Sequence, residues 1–295
     1  MDRVDDLSGH LPDLTALVNR QLAAVPPGWT MTSAQAGSFL RMPSAWAVHY
    51  PDPPPFAKRD LGVRGGGRLL AAGQYGMVEG YCHVAWLAAD PGKPAALADW
   101  LAALEGLARA AGCREIADSR NELGIGWFGT PVAWEHLVRG LGKAGWEPGD
   151  RWVIMTGETV PAADPGDPPF RTLVLDRREE TVAGEWAAYA RVGDVPAADS
   201  VCWAPSGVFR DCPGWAEWMI LEWIGVEEPF QRRGLGRWLF RTQMRWLADR
   251  GIRRVMLYTE TGNLPARRLF ESAGLTAASE CWCLRKSLTG AFPVI

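Results

Sequence analysis

The stretch from Trp218 to Arg241, WMILEWIGVEEPFQRRGLGRWLFR, restricts the fold more than any other part of the chain. Trp218 to Val226 is apolar apart from Glu222 and Gly225, a length and content that fit a buried strand. Glu227-Glu228-Pro229 ends that run, and a glycine-rich turn follows, Gln231-Arg232-Arg233-Gly234-Leu235-Gly236-Arg237. A helical pattern then starts at once. Leu235, Leu239, Thr242 and Trp246 fall on one stripe, and Arg237, Arg241 and Arg245 on a second, solvated one. The order is strand, short turn, helix.

That order has a chemical consequence. The first turn of a helix holds N–H groups without internal partners at the positive end of the macrodipole. Gly234 and Gly236 carry no Cβ, so a phosphate can come close to the backbone between Arg233 and Arg237. The turn therefore reads as a pyrophosphate anchor. It is too short for a GxxxxGK[ST] loop and lacks the third glycine of a dinucleotide fingerprint.

Gln231, Gly234 and Gly236, preceded by a strand ending in Ile224-Gly225-Val226, resemble the Gln/Arg-x-x-Gly-x-Gly/Ala signature of the GNAT superfamily of N-acetyltransferases. Gly251 to Tyr258 is similar to the next strand of that family. Asn263-Leu-Pro-Ala-Arg-Arg-Leu-Phe-Glu-Ser-Ala-Gly-Leu275 resembles its Asn-x-x-Ala-x-x-x-Tyr-Glu-x-x-Gly-Phe segment. The resemblance covers roughly the last 110 residues, and the pieces occur in the family's order.

The resemblance implies acetyl-CoA as cosubstrate. Gln231, Arg232, Arg233, Gly234, Leu235, Gly236, Arg237 and Asn263 are then its binding residues, and the backbone at Ile224, Gly225 and Val226 lies along the pantetheine arm. It also implies transfer of the acetyl group to a primary amine, here expected to belong to a small molecule. Glu222 is the candidate base, because it is the one ionisable residue in a run otherwise fit for burial. Strand alternation puts Ile220, Glu222, Ile224 and Val226 on one side. The family's proton-donating Tyr falls at Phe270, which cannot donate, so Tyr258 is the substitute. Two alternatives stand beside this reading, a peptide or protein N-acetyltransferase and a non-catalytic acyl-CoA-binding protein.

At 295 residues the chain is long enough for two domains with separate cores. A weak internal repeat agrees with two copies of one α/β fold, each a mixed, mostly antiparallel sheet flanked by helices. Shifting the first half by 139 residues puts Gly112 on Gly251, Trp86 on Gly225 and His83 on Glu222. Gly92, Ala95 and Leu97 then replace Gln231, Gly234 and Gly236, so the first copy is expected to have lost the cofactor. This tandem plan is similar to the mycothiol synthase type. The expected divisions are a degenerate domain at 1–160, a linker at 161–169 and a cofactor-binding domain at 170–295. Within the last, 171–175 reads as strand and 179–191 as helix.

A net charge of −3 gives no general surface for nucleic acid. No uncharged apolar run is long enough to span a membrane, and Met1 is followed by Asp and Arg without an apolar leader. The six cysteines form no Cys-x-x-Cys pair and have no His at ligand spacing, so no metal is expected and a reducing cytoplasm is.

Overall fold

The computed structural model describes residues 1–25, 28–41, 57–118, 122–123, 128–159, 165–179, 185–204 and 214–289. The chain forms two compact units, Met1–Trp152 with Ser279–Ile295, and Val153–Ala278. This differs from the expected division at 161–169, of which 161–164 lie outside the described residues. The second half of the last strand belongs to the first unit because its backbone pairs there. Apolar periodicity does not reveal which strand a backbone will choose.

The first unit contains β1 (Asp2–Val4), α1 (Leu11–Leu22), α2 (Ser33–Arg41), β2 (Arg59–Gly65), β3 (Arg68–Val78) and β4 (Tyr81–Ala89). It continues with α3 (Pro94–Ala110), β5 (Glu115–Asp118), β6 (Thr130–Pro131), α4 (Glu135–Lys143) and the start of β7 (Glu147–Glu158). The end of β13 (Thr276–Ser287) completes it, in the order β1-β2-β3-β4-β5-β13. β4 and β5 are parallel and the other neighbours antiparallel. Gly66 and Gly67, both at positive φ, turn β2 into β3 as a hairpin.

Helices lie on both faces of this sheet. Successive residues of β3 show it: a Cβ on Gly73 would sit 2.7 Å from Trp100 of α3, while Gln74 bonds the Leu40 carbonyl of α2 at 2.9 Å.

The second unit contains β8 (Leu173–Glu179), β9 (Glu185–Val192), β10 (Val195–Trp203), β11 (Trp218–Val226), α5 (Leu235–Ala248), β12 (Arg254–Glu260) and α6 (Leu264–Glu271). Its strands run β12-β11-β10-β9-β8, with β11 and β12 parallel and the others antiparallel. Met219, Leu221, Val255 and Leu257 pack with Phe240, Met244 and Leu247 of α5 and Phe270 of α6. Both described helices of this unit thus cover one face. The helix expected at 179–191 is strand where it is described. Ala188 and Ala190 read as helix formers, yet they are small residues that let Leu235 and Leu239 of α5 approach the sheet. Among the described residues no helix is long and apolar enough to cross a membrane.

Asp118, at the end of β5, is 3% exposed. The Thr130 hydroxyl donates to its Oδ2, while Oδ1 is buried without a partner. Desolvation pushes this carboxyl up to about 7, against the lowering effect of the Thr130 bond. The folded chain therefore holds this proton more tightly than the unfolded chain does. The resulting stability is complete below the ordinary carboxyl range and is lost as pH rises through about 7. Urea unfolding is expected to show a chain more stable at pH 5 than at pH 8, by up to roughly 2–3 kcal/mol from this group. Asp118→Asn should flatten that dependence and be the more stable form at pH 8.

Candidate active site

β11 does not alternate cleanly. Its register with β10 runs Cys202↔Leu221 and then Val201↔Trp223, so Glu222 is an extra residue in a β-bulge. Leu221 and Ile224 consequently share the helix-covered face, and the expected common side for Glu222, Ile224 and Val226 does not exist. Glu222 faces the other way. There its Oε2 accepts from the Tyr258 hydroxyl, and from Trp203 Nε1 at 3.1 Å. The two candidate catalytic residues are thus in direct contact, with Trp203 as a third member that no sequence pattern indicated. Cys202, beside the bulge, is fully buried, and desolvation pushes its thiol up to about 12. It is no nucleophile at neutral pH.

The parallel ladder between β11 and β12 ends at Leu221↔Leu257, just before the bulge, while β11 continues to Val226. Ile224, Gly225 and Val226 therefore present backbone on a side that β12 has left. The turn after β11 is tied back by Gln231, whose Nε2 donates to the Val226 carbonyl at 2.9 Å. Arg232 and Gly234 both have positive φ, 57° and 87°. Gly234 is the N-cap of α5, and no side chain caps the helix. The first N–H groups of α5 are thus left to an external acceptor.

The two glycines do different work. Gly234 takes up a left-handed backbone with open space where a Cβ would be, whereas a Cβ on Gly236 would lie 3.3 Å from Val226 Cγ2 and 3.8 Å from Leu269. Leu235 is 1% exposed and seats the helix start on the sheet. Arg232, Arg233 and Arg237 are exposed around it, with the Arg233 guanidinium 4.3 Å from the Phe170 ring centre. Asn263 caps α6, its side chain accepting from Ala266 N–H at 3.2 Å. Phe270 is core, packed edge-on against Phe240 at 5.3 Å.

Residues 158–275 match the model of the Acetyltransferase (GNAT) family. The second unit is a GNAT domain, and the fold of the whole chain is the tandem GNAT fold. A tandem GNAT protein from the clavulanic acid biosynthesis pathway, solved without AcCoA, superposes with a TM-score of 0.68 at 13% identity, over 99% of each chain. A GCN5-related N-acetyltransferase from Sphaerobacter thermophilus gives 0.69 at 12% identity, over 99% of this chain and 97% of that one. The mycothiol acetyltransferase of Thermomonospora curvata is 47% identical over 53 residues, 18% of each chain. The matched segment is thus under a fifth of that relative's length.

The first GNAT-like unit has the same bulge, with a different outcome. Its register runs Tyr75↔Val84 and then Gln74↔Trp86, so Ala85, and not His83, stands where Glu222 stands in the second. His83 is a partly buried imidazole held below its ordinary value by desolvation. β4 ends at Ala89 and α3 begins at Pro94, four residues between, whereas eight separate Val226 from Leu235. The ungapped shift of 139 residues is therefore wrong here. The anchoring turn is shortened, and Pro94 brings no N–H to the helix start.

The gap beyond the β4–β5 ladder is also taken by the chain itself. Glu122 N–H donates to the Ala85 carbonyl at 2.8 Å, and Leu123 is fully buried. The Glu122 carboxylate meets Lys58 at 2.9 Å, with both side chains about 5% exposed or less.

The open β11 edge, the uncapped helix start and the surrounding arginines fit the arm and pyrophosphate of acetyl-CoA in the second unit. Calorimetry is expected to find one acetyl-CoA per chain, and two equivalent sites would overturn this. Gly234→Val should weaken binding more than tenfold with the fold retained, because a β-branched residue is strained at φ 87°.

Proposed function

We propose that the protein is an acyl-CoA-dependent N-acetyltransferase whose acceptor is the primary amine of a small molecule, with its working site in the second unit. Tyr258 and Trp203 gathered on Glu222, whose strand leads to the uncapped start of α5, carry this reading. The match to a GNAT family model supports the reaction class, and a relative named mycothiol acetyltransferase supports a small-molecule acceptor.

Acetyl-CoA supplies the activated thioester carbonyl when bound. Ile224 to Val226 hold its arm by backbone, and the α5 start with Arg232, Arg233 and Arg237 holds its phosphates. An amine arrives mostly as ammonium and cannot attack until it loses a proton. Glu222 takes that proton. Tyr258 and Trp203 donate to one oxygen of the carboxylate, which fixes its orientation on the bulge and stabilises its charge before the amine binds. Through the same hydrogen bond Tyr258 is the donor that returns a proton to the departing thiolate, a role closed to Phe270 in the core.

A panel of small amines and short peptides, read by release of free thiol, tests the class. A peptide preference would favour the protein-acetylating alternative, and acetyl-CoA binding without turnover would favour a regulatory binder. Glu222→Gln should leave acetyl-CoA affinity nearly intact and lower kcat at neutral pH by about 10²-fold. The loss should shrink as pH rises, since the amine then arrives already deprotonated. An unchanged pH–rate profile would remove Glu222 from the base role.

A further inference from the structure

We infer that Trp223 and Asp199 form the acceptor subsite, and that they select a primary amine carrying a ring. The ring stacks on the exposed indole and the cationic end meets the carboxylates beside it. This rests on the amine-acetylating reading above and names the substrate class for that same site.

The bulge register makes Trp86 and Trp223 equivalent, each being the first paired residue after the extra one. Their surroundings differ completely. Trp86 is fully buried, 5.6 Å from Phe39 of α2, with its Nε1 bonded to Gln74 at 2.8 Å. Trp223 is 56% exposed. The second unit places both its described helices on the other face, so an indole that is core in one copy is surface in the other. An exposed tryptophan on a central strand forgoes the burial that stabilises Trp86.

The exposed indole is also held in place. Its Nε1 donates to Asp199 Oδ1 at 3.2 Å. A Cβ on Gly225 would lie 2.9 Å from that Nε1 and 3.0 Å from that carboxylate oxygen, so the ring lies across the glycine and needs its bare backbone. This is a second use for Gly225, unrelated to the cofactor arm. A ring fixed in this way binds without a large ordering cost.

Charge selects the occupant. Asp199 lies on the same face as Glu222, in the row Asp176–Tyr189–Asp199–Gly225 across four strands. Asp176 is already paired with Arg178 at 2.7 Å, while Asp199, Glu222 and Glu185, which pairs opposite Trp203, remain as carboxylates of this face. An aromatic face flanked by carboxylates favours a cation with an apolar or ring body over an anion.

The test is calorimetric titration of glucosamine, phenethylamine and the ringless n-butylamine into CoA-saturated protein, which reads the subsite without turnover. At least one ring-bearing probe should bind about tenfold tighter than n-butylamine. Trp223→Ala should abolish that preference, Trp223→Phe should keep most of it, and Asp199→Asn should weaken all the amines while CoA affinity and melting temperature stay unchanged. No preference in the native protein, or one that survives Trp223→Ala, overturns the inference. Thiol release measured in parallel keeps the two readings apart. Turnover with an unaltered KM in Trp223→Ala sinks the subsite alone, and ring-selective binding without turnover sinks the acetyl-transfer reading alone.

Discussion

One extra residue in a strand governs the second unit. Side chains on a regular strand alternate, so β11 without its bulge would send Leu221 and Trp223 to one face and Glu222 and Ile224 to the other. The bulge at Glu222 resets the phase. Leu221 and Ile224 both reach the core under α5 and α6, and Glu222 and Trp223 both leave it. A carboxylate and an indole thereby come together beside Tyr258 and Trp203, on a strand whose other residues are needed for packing. The change of phase follows directly on the last pair between β11 and β12, so the backbone edge that β12 has left lies next to the carboxylate.

The two units show how little of such a site is inherent in its fold. Both have the bulge, the parallel strand pair and the following helix. What separates them is filling and length. In the first, the bulge residue is Ala85, its carbonyl is satisfied by Glu122 N–H, and Leu123 is buried close by. Burying the Glu122 carboxylate is tolerable only because Lys58 meets it in the same dry setting; either alone would carry a large desolvation cost. Four fewer residues before α3 and a proline at its start remove the N–H groups that the second unit offers.

Glycine has three distinct uses around the site. Gly234 permits a left-handed backbone at the helix start, Gly236 permits close packing of α5 on Val226, and Gly225 permits an indole to lie flat across a strand. Only the first follows from the turn motif; the other two depend on which side chains the tertiary fold brings near.

The sequence by itself determined the elements and their order. The strand at 218–226, the turn and the helix at Leu235–Ala248 were legible because local apolar periodicity and glycine placement depend on near neighbours. Glu222 stood out as the lone charge in an apolar run, and Tyr258 as the nearest substitute for the hydroxyl that Phe270 lacks. The tertiary structure alone decided that these two touch, that Trp203 and Trp223 flank them, and that Asn263 caps α6. It also decided that an alanine-rich run after Glu185 is strand and that the chain's last strand ends in the first unit. Each of these turns on a backbone register between segments far apart in the chain. A register is set by the sum of cross-strand hydrogen bonds and packing, and a single inserted residue reverses its outcome without leaving a local mark.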